Sequence, residues 1–269
     1  MAKKSKNLII NYKCNSNCYL CNFPVQNNKK ENFISFEKLT DEINNINFYN
    51  FNEINIYGAD PFIHKNIFEI LKLIPEDIKL NIFTNTRALS YKNYCFKLKN
   101  FKNLNVFVKV YSNNSKLHNF ITQTSNSFEQ TLKGIKNLFF YKIKFSIIID
   151  VCEQNFVFLN EIIDFFNSFR PKKIIIKPIL PIGKAKDDYF KFALRYSEII
   201  DVLKINYDNI YGFFPLCFLN DRKINFFNLD YLNYEKSKNN KCIKCKFFQK
   251  CIGMPEDYVD LFGAEELLG

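Results

Sequence analysis

Residues 143–179 read IKFSIIIDVCEQNFVFLNEIIDFFNSFRPKKIIIKPI. Two β-branched runs, Ile147-Ile148-Ile149 and Ile174-Ile175-Ile176, flank an amphipathic stretch at 156–169. Such runs suit strands of a parallel sheet covered on both faces. The unit is a strand, a helix and a second strand, and the same rhythm runs upstream. The sequence predicts strands at 7–12, 52–57, 78–83, 104–111, 143–151 and 173–179. Helices are expected near 36–48, 64–74, 90–99, 127–140 and 156–169, with a polar loop after the fourth strand. Six βα units in series imply right-handed crossovers. The expected fold class is α/β, a partial (β/α)6 TIM-like barrel, with its chemistry at the C-terminal strand ends.

After Pro181-Ile182-Gly183 the rhythm changes. Residues 186–269 hold a helix near 195–204, β-like pieces around 210–234 and a last helix near 256–268. The expected organisation is a barrel domain over 1–185 and a small module over 186–269.

Composition narrows the classes. The 269 residues are 47% hydrophobic, enough for a sizeable core, which excludes intrinsic disorder. Lys and Arg number 38 against 27 Asp and Glu, a net charge of +11. A basic surface favours polyanions or acidic partners without identifying one. Much of this load follows an AT-rich coding habit, rich in Asn, Lys, Ile and Phe. Seven Gly and eight Pro exclude collagen-like and Pro-rich chains. No apolar run reaches membrane-span length. The basic head is followed only by Leu8-Ile9-Ile10 before Asn11, too short for a secretory signal. A cytoplasmic location without membrane contact is expected.

Nine cysteines are unevenly spread. Cys14, Cys18 and Cys21 follow the first strand, at the chemical end of the sheet. Cys217, Cys242, Cys245 and Cys251 stand toward the back. Tight spacing without an export signal points to metal rather than disulfides. Three thiolates are one short of a closed zinc site. A cubane held by three cysteines instead leaves one iron open to an exogenous ligand. A zinc knuckle with a distant fourth ligand is the alternative.

Asn11-Tyr12-Lys13-Cys14-Asn15-Ser16-Asn17-Cys18-Tyr19-Leu20-Cys21 resembles the signature of the radical S-adenosylmethionine (SAM) superfamily. Leu20 stands where that family usually has an aromatic residue against the cofactor's adenine. Tyr57-Gly58-Ala59-Asp60-Pro61-Phe62 resembles the family's Gly-Gly-Glu-Pro turn. The resemblance implies that Gly58, Ala59, Asp60 and Pro61 receive the cofactor's ammonium, small residues allowing close backbone approach. Thr84-Asn85-Thr86 resembles Thr-Asn-Gly, which brings in Asn85; branched Thr86 argues against a left-handed backbone there. Lys109-Val110-Tyr111-Ser112 resembles Ser-Leu-Tyr-Gly, so Lys109, a donor for the cofactor carboxylate, and Ser112 join the set. Pro181-Ile182-Gly183-Lys184-Ala185 resembles the Pro-x-Gly-x-Ala stretch closing the sixth strand.

Cys242-x2-Cys245-x5-Cys251, with Cys217 as fourth ligand, completes either a cubane or a structural zinc site. Chemistry leaves both open. The run is similar to the SPASM or twitch module of radical enzymes, which carries auxiliary iron–sulfur clusters. No cysteine follows Cys251, so one auxiliary 4Fe–4S cluster is the ceiling.

Other residues have plainer readings. Cys95 and Cys152 read as buried small hydrophobes, the latter near the cavity. His118 reads either as a substrate contact or as an exposed loop histidine. His64 reads as a cap or an exposed side chain. Asp150 and Asn155 read as cavity lining or as turn residues.

The resemblance implies a mechanism. A 4Fe–4S cluster on Cys14, Cys18 and Cys21 chelates SAM, one electron cleaves the sulfonium, and a 5′-deoxyadenosyl radical abstracts hydrogen. An auxiliary cluster would accept the substrate's second electron, giving a net oxidation. The leading substrate is a ribosomally made peptide, with flavodoxin or ferredoxin as electron donor; no catalytic base is identified. With 13 residues before Cys14, no fused leader-binding domain is expected. The alternative is a dehydrogenase of a sugar or aminocyclitol. GTP cyclisation fits less well, given the rear spacing and the Leu268-Gly269 end. A non-enzymatic reading is a zinc-ribbon nucleic-acid binder, although no nucleic-acid partner is favoured.

Overall fold

The computed structural model describes residues 4–23, 33–204, 206–219, 222–228, 236–237 and 240–267. Eight parallel strands form one sheet in chain order. They are β1 (Ser5–Ile9), β2 (Glu53–Tyr57), β3 (Lys79–Thr84), β4 (Leu104–Val110), β5 (Phe145–Val151), β6 (Ile174–Pro178), β7 (Ile210–Gly212) and β8 (Asn225–Phe226). The crossovers carry α1 (Phe36–Asn44), α2 (Ile67–Lys72), α3 (Lys92–Leu98), α4 (Ser115–Thr122), α5 (Ser127–Phe140) and α6 (Leu159–Asn167). Beyond them lie α7 (Tyr189–Phe192), α8 (Tyr196–Val202), α9 (Leu216–Leu219), β9 (Lys236–Ser237), α10 (Asn240–Ile243), β10 (Met254–Pro255) and α11 (Glu256–Phe262). β9 and β10 pair antiparallel.

Alternation along the strands divides the side chains between two environments. One face sends Leu8, Ile54, Ile56, Ile82, Val106, Val108, Ile147, Ile149, Ile174 and Ile176 into the main core under the helices. The other face is layered. Asn7, Asn55, Asn81 and Asn105 stand in register on the first four strands. Above them come Ile9, Tyr57, Phe83, Phe107 and Ile148, with Phe83 and Phe107 stacked at 4.6 Å. At the C-terminal ends stand Lys109, Asp150 and Lys177. Filling the interior in layers is how such barrels avoid a void.

The structure differs from expectation in two places. The polar loop after β4 contains α4, because Asn114 caps it through Lys116 N–H at 2.9 Å and Leu117 N–H at 3.2 Å. The sheet also continues past residue 185, through the short β7 and β8. Residues 229–234 and Leu268-Gly269 lie outside the described residues. No described helix is long and apolar enough to cross a membrane.

Candidate active site

Cys14, Cys18 and Cys21 lie on the loop after β1, and all three line one cavity of about 460 Å³ at the C-terminal strand ends. The loop is tied down on several sides. Asn17 and Tyr19 N–H donate to the Thr122 and Ile121 carbonyls of α4, at 3.1 and 3.3 Å. Ala59 and Asp60 N–H donate to the carbonyls of Asn11 and Lys13 at 3.3 and 3.1 Å. A side chain on Gly58 would meet the Asn11 carbonyl at 2.6 Å, so only glycine allows this approach.

The Cys14 sulfur receives Ser16 N–H at 3.3 Å and Asn85 Nδ2 at 3.6 Å. Asn85 also donates to Asn15 Oδ1 at 2.7 Å. Arg87 completes this clamp. Its Nε donates to Gln130 Oε1 at 2.7 Å, and its Nη1 donates to Ser16 Oγ at 2.9 Å and to the Asn15 carbonyl. Burial, reinforced by Asp60 and Cys18, pushes the Cys14 thiol far above the ordinary range. Burial and the Cys21 thiol push Cys18 up to about 11. A cation bound among these sulfurs would offset the cost of ionising them.

Opposite the loop, Asp150 bridges two ammonium groups. Lys109 Nζ lies 2.5 Å from one carboxylate oxygen and Lys177 Nζ 2.8 Å from the other. Lys177 also donates to Asn22 Oδ1 at 2.9 Å. Asp150 is fully buried, whereas the Lys109 side chain keeps 29% of its surface exposed. One carboxylate shared by two ammonium groups leaves a net positive charge at the cavity wall, and Lys109 is the more exposed of the two. Burial lowers Lys177 to about 8 despite Asp150. For Lys109, the pull of Asp150 and Cys21 overcomes burial and raises the pKa.

His118 also lines the cavity. It is buried on α4, not exposed on a loop; its Nδ1 has no hydrogen-bond partner, and burial lowers it to about 4. His64 is likewise buried, with Nε2 2.9 Å from the Ile34 carbonyl. Gly58, Ala59, Asn85 and Lys109 line the cavity, whereas Asp60, Pro61 and Ser112 are not among the lining residues. Asp60 is wholly buried, accepts Phe62 N–H at 3.0 Å and Thr84 Oγ1 at 3.1 Å, and is raised to about 6 by burial. Thr86 does adopt a left-handed backbone, with φ of 60°, held by its N–H to Thr84 Oγ1 at 2.9 Å. Leu20 packs in the main core. Cys95 and Cys152 are buried small side chains, as expected. Asp150 lines the cavity, and Asn155 braces it from behind, donating to the Tyr111 and Asp150 carbonyls at 2.8 and 2.9 Å. Sequence reasoning missed Arg87, Lys177 and Asn22.

Backbone N–H groups also point at the rear cysteine sulfurs. Leu216 N–H, next to Cys217, donates to the Cys251 sulfur at 3.4 Å. Phe247 N–H donates to Cys245 at 3.4 Å and Gly253 N–H to Cys251 at 3.5 Å, the same two-residue offset as Ser16 on Cys14. Among the described residues, no three His, Cys, Asp or Glu side chains close on a single metal ion.

No curated protein matches the chain by sequence. Among solved structures it resembles Streptococcus suis SuiB bound to the precursor peptide SuiA, with TM-score 0.60 and 17% identity over 72% of this chain and 42% of SuiB. It thus spans less than half of that chain. Native anSMEcpe with bound AdoMet gives TM-score 0.64 and 15% identity over 98% of this chain and 92% of that one. HydG, a maturase of the [FeFe]-hydrogenase, gives 0.53 and 14% over 74% and 48%. At these identities the likeness establishes the fold. The family profile of the radical SAM superfamily matches residues 8–166, more than half of the sequence and the whole stretch from the cysteine loop to α6, and the chain therefore belongs to that superfamily.

Proposed function

We propose that this chain holds a 4Fe–4S cluster through Cys14, Cys18 and Cys21, binds SAM in the adjoining cavity, and oxidatively modifies a ribosomally made peptide. The observation that carries this reading is the set of three thiols on one braced loop, facing one cavity at the C-terminal ends of a parallel sheet. The donor set fits the group: three soft sulfurs, with N–H donors aimed at Cys14 and a lysine ammonium within electrostatic reach of Cys18 and Cys21. When bound, cluster and SAM together supply reductive sulfonium cleavage and hydrogen abstraction from a C–H bond.

The chain's own residues orient and exclude. Lys109 offers its ammonium to a carboxylate, and Asp150 fixes where that ammonium stands. Gly58 and Ala59 bring backbone to the cavity wall, and Asn85 with Arg87 holds the cysteine loop in place. Phe83, Phe107 and Ile148 close the floor against water.

Cys217, Cys242, Cys245 and Cys251 are assigned one auxiliary 4Fe–4S cluster in a twitch-like module over 186–269. The shared N–H···S pattern at Cys14, Cys245 and Cys251 supports thiolates prepared for ligation. The peptide assignment draws on structural likeness to SuiB bound to a precursor peptide and to anSMEcpe bound to the Cp18Cys peptide. An external one-electron donor completes the system, and the basic charge favours an acidic one.

The test is anaerobic reconstitution with iron and sulfide, then dithionite and SAM. About eight irons per chain are expected, with 5′-deoxyadenosine released. Cys18→Ala should abolish that release; retained release refutes the front site. Cys242→Ala should leave about four irons and spare cofactor cleavage while stopping product formation. If iron stays near eight, the rear assignment fails. A peptide that stimulates cleavage supports the substrate class; stimulation only by a sugar alcohol replaces it.

A further inference from the structure

Tyr111 follows the last residue of β4 and is held from every side. Its carbonyl accepts Asn155 Nδ2 at 2.8 Å. Its ring meets His118 edge-on at 5.8 Å, and the Lys109 ammonium stands 5.3 Å from its centroid. Tyr111 lines the cavity that Cys18 also lines, and its hydroxyl is buried with no hydrogen-bond partner. A buried hydroxyl left unpaired is costly, so it persists where a partner is to come. Cys18 lines the same cavity, and its sulfur is near enough to act on the Tyr111 hydroxyl. A neutral thiol is a weak acceptor, whereas an anionic thiolate accepts strongly.

We propose that the Tyr111 hydroxyl donates a hydrogen bond to the Cys18 thiolate once the front cysteines hold their cluster, and that this bond, with the Lys109 ammonium, raises the cluster's reduction potential. The inference rests on the cluster assignment above. Reduction adds one negative charge to the cluster. A fixed donor and a nearby cation stabilise the reduced, more negative state more than the oxidised one. Tyr111 is thus a positioning residue: it acts on the ease of electron entry through the sulfur of Cys18.

An EPR-monitored redox titration of reconstituted protein tests this, read on the signal that changes when SAM is added. Tyr111→Phe should lower the ratio of reduced to oxidised cluster about tenfold at fixed potential, a shift of about 59 mV for a one-electron couple. An unchanged potential at full iron content overturns the inference while leaving the functional reading intact. If Tyr111→Phe takes up no iron, difluorotyrosine placed at position 111 keeps the ring and hydroxyl while strengthening the donor. It should move the potential upward, and no movement overturns the inference. If the unmodified protein assembles no front cluster, the functional reading fails and this inference with it.

Discussion

His118 sits on α4 with its ring between Tyr111 and Phe128, at 5.8 and 5.6 Å. Burial makes the charged imidazolium costly, so the folded-state value falls from 6.5 to about 4. Between those values the unfolded chain binds more protons than the folded one. The stabilisation is therefore complete above pH 6.5 and is lost as pH falls through 4. His118→Gln should flatten the stability–pH curve in that window by up to about 3 kcal/mol. Urea titrations across that range check it, and an unaltered slope refutes the burial argument. The residue scale was only partly legible in sequence. The three front cysteines stood out because their spacing is short and local. Arg87 did not, although one signal was present: it is one of only four arginines among 38 basic residues, and it directly follows Thr84-Asn85-Thr86. Its planar fork reaches Gln130, Ser16 and Asn15 at once, which a lysine cannot do.

Among the elements, α5 carries the support for this clamp, since Gln130 lies on it. The helix can approach β3 only because Gly134 has no side chain; a Cβ there would lie 2.3 Å from the Thr86 carbonyl. That carbonyl cannot retreat readily, because it accepts Leu89 N–H at 2.9 Å and its residue is held in a left-handed conformation. Helix preference alone would favour Gly134→Ala by about 1 kcal/mol. The clash costs more, about 1–3 kcal/mol or above. Gly134→Ala should therefore lower the melting midpoint and loosen cluster retention; a raised midpoint would show that α5 shifts freely. The long periodic helices were legible because amphipathic spacing is a local property. α4 was not, because its polar residues Ser115, Lys116, His118 and Asn119 mimic a loop, and His118 and Thr122 are buried only by what packs on them.

At the scale of the whole molecule, the asparagine row binds β1, β2 and β3 side by side. Asn55 Nδ2 donates to Asn7 Oδ1 at 3.0 Å, and Asn81 Nδ2 donates to Asn55 Oδ1 at 2.8 Å. A one-residue slip of any strand would turn its amide to the apolar face. Each amide stranded there would cost about 1–3 kcal/mol. Asn55→Leu, which leaves Asn7 Oδ1 without its donor, should lower the unfolding free energy by a similar amount, about 1–3 kcal/mol. Denaturant unfolding checks this, and an unchanged free energy would assign the register to the apolar layer alone. By itself, the sequence determined the α/β class, the succession of strands and helices and the close spacing of the three front cysteines, because each is written in contiguous residues. Tertiary structure alone decided which distant side chains come together: Asp150 between Lys109 and Lys177, Arg87 on the cysteine loop, Tyr111 and Cys18 on one cavity. Strands far apart in the chain become neighbours only when the sheet forms, and the burial that perturbs these groups does not exist before then.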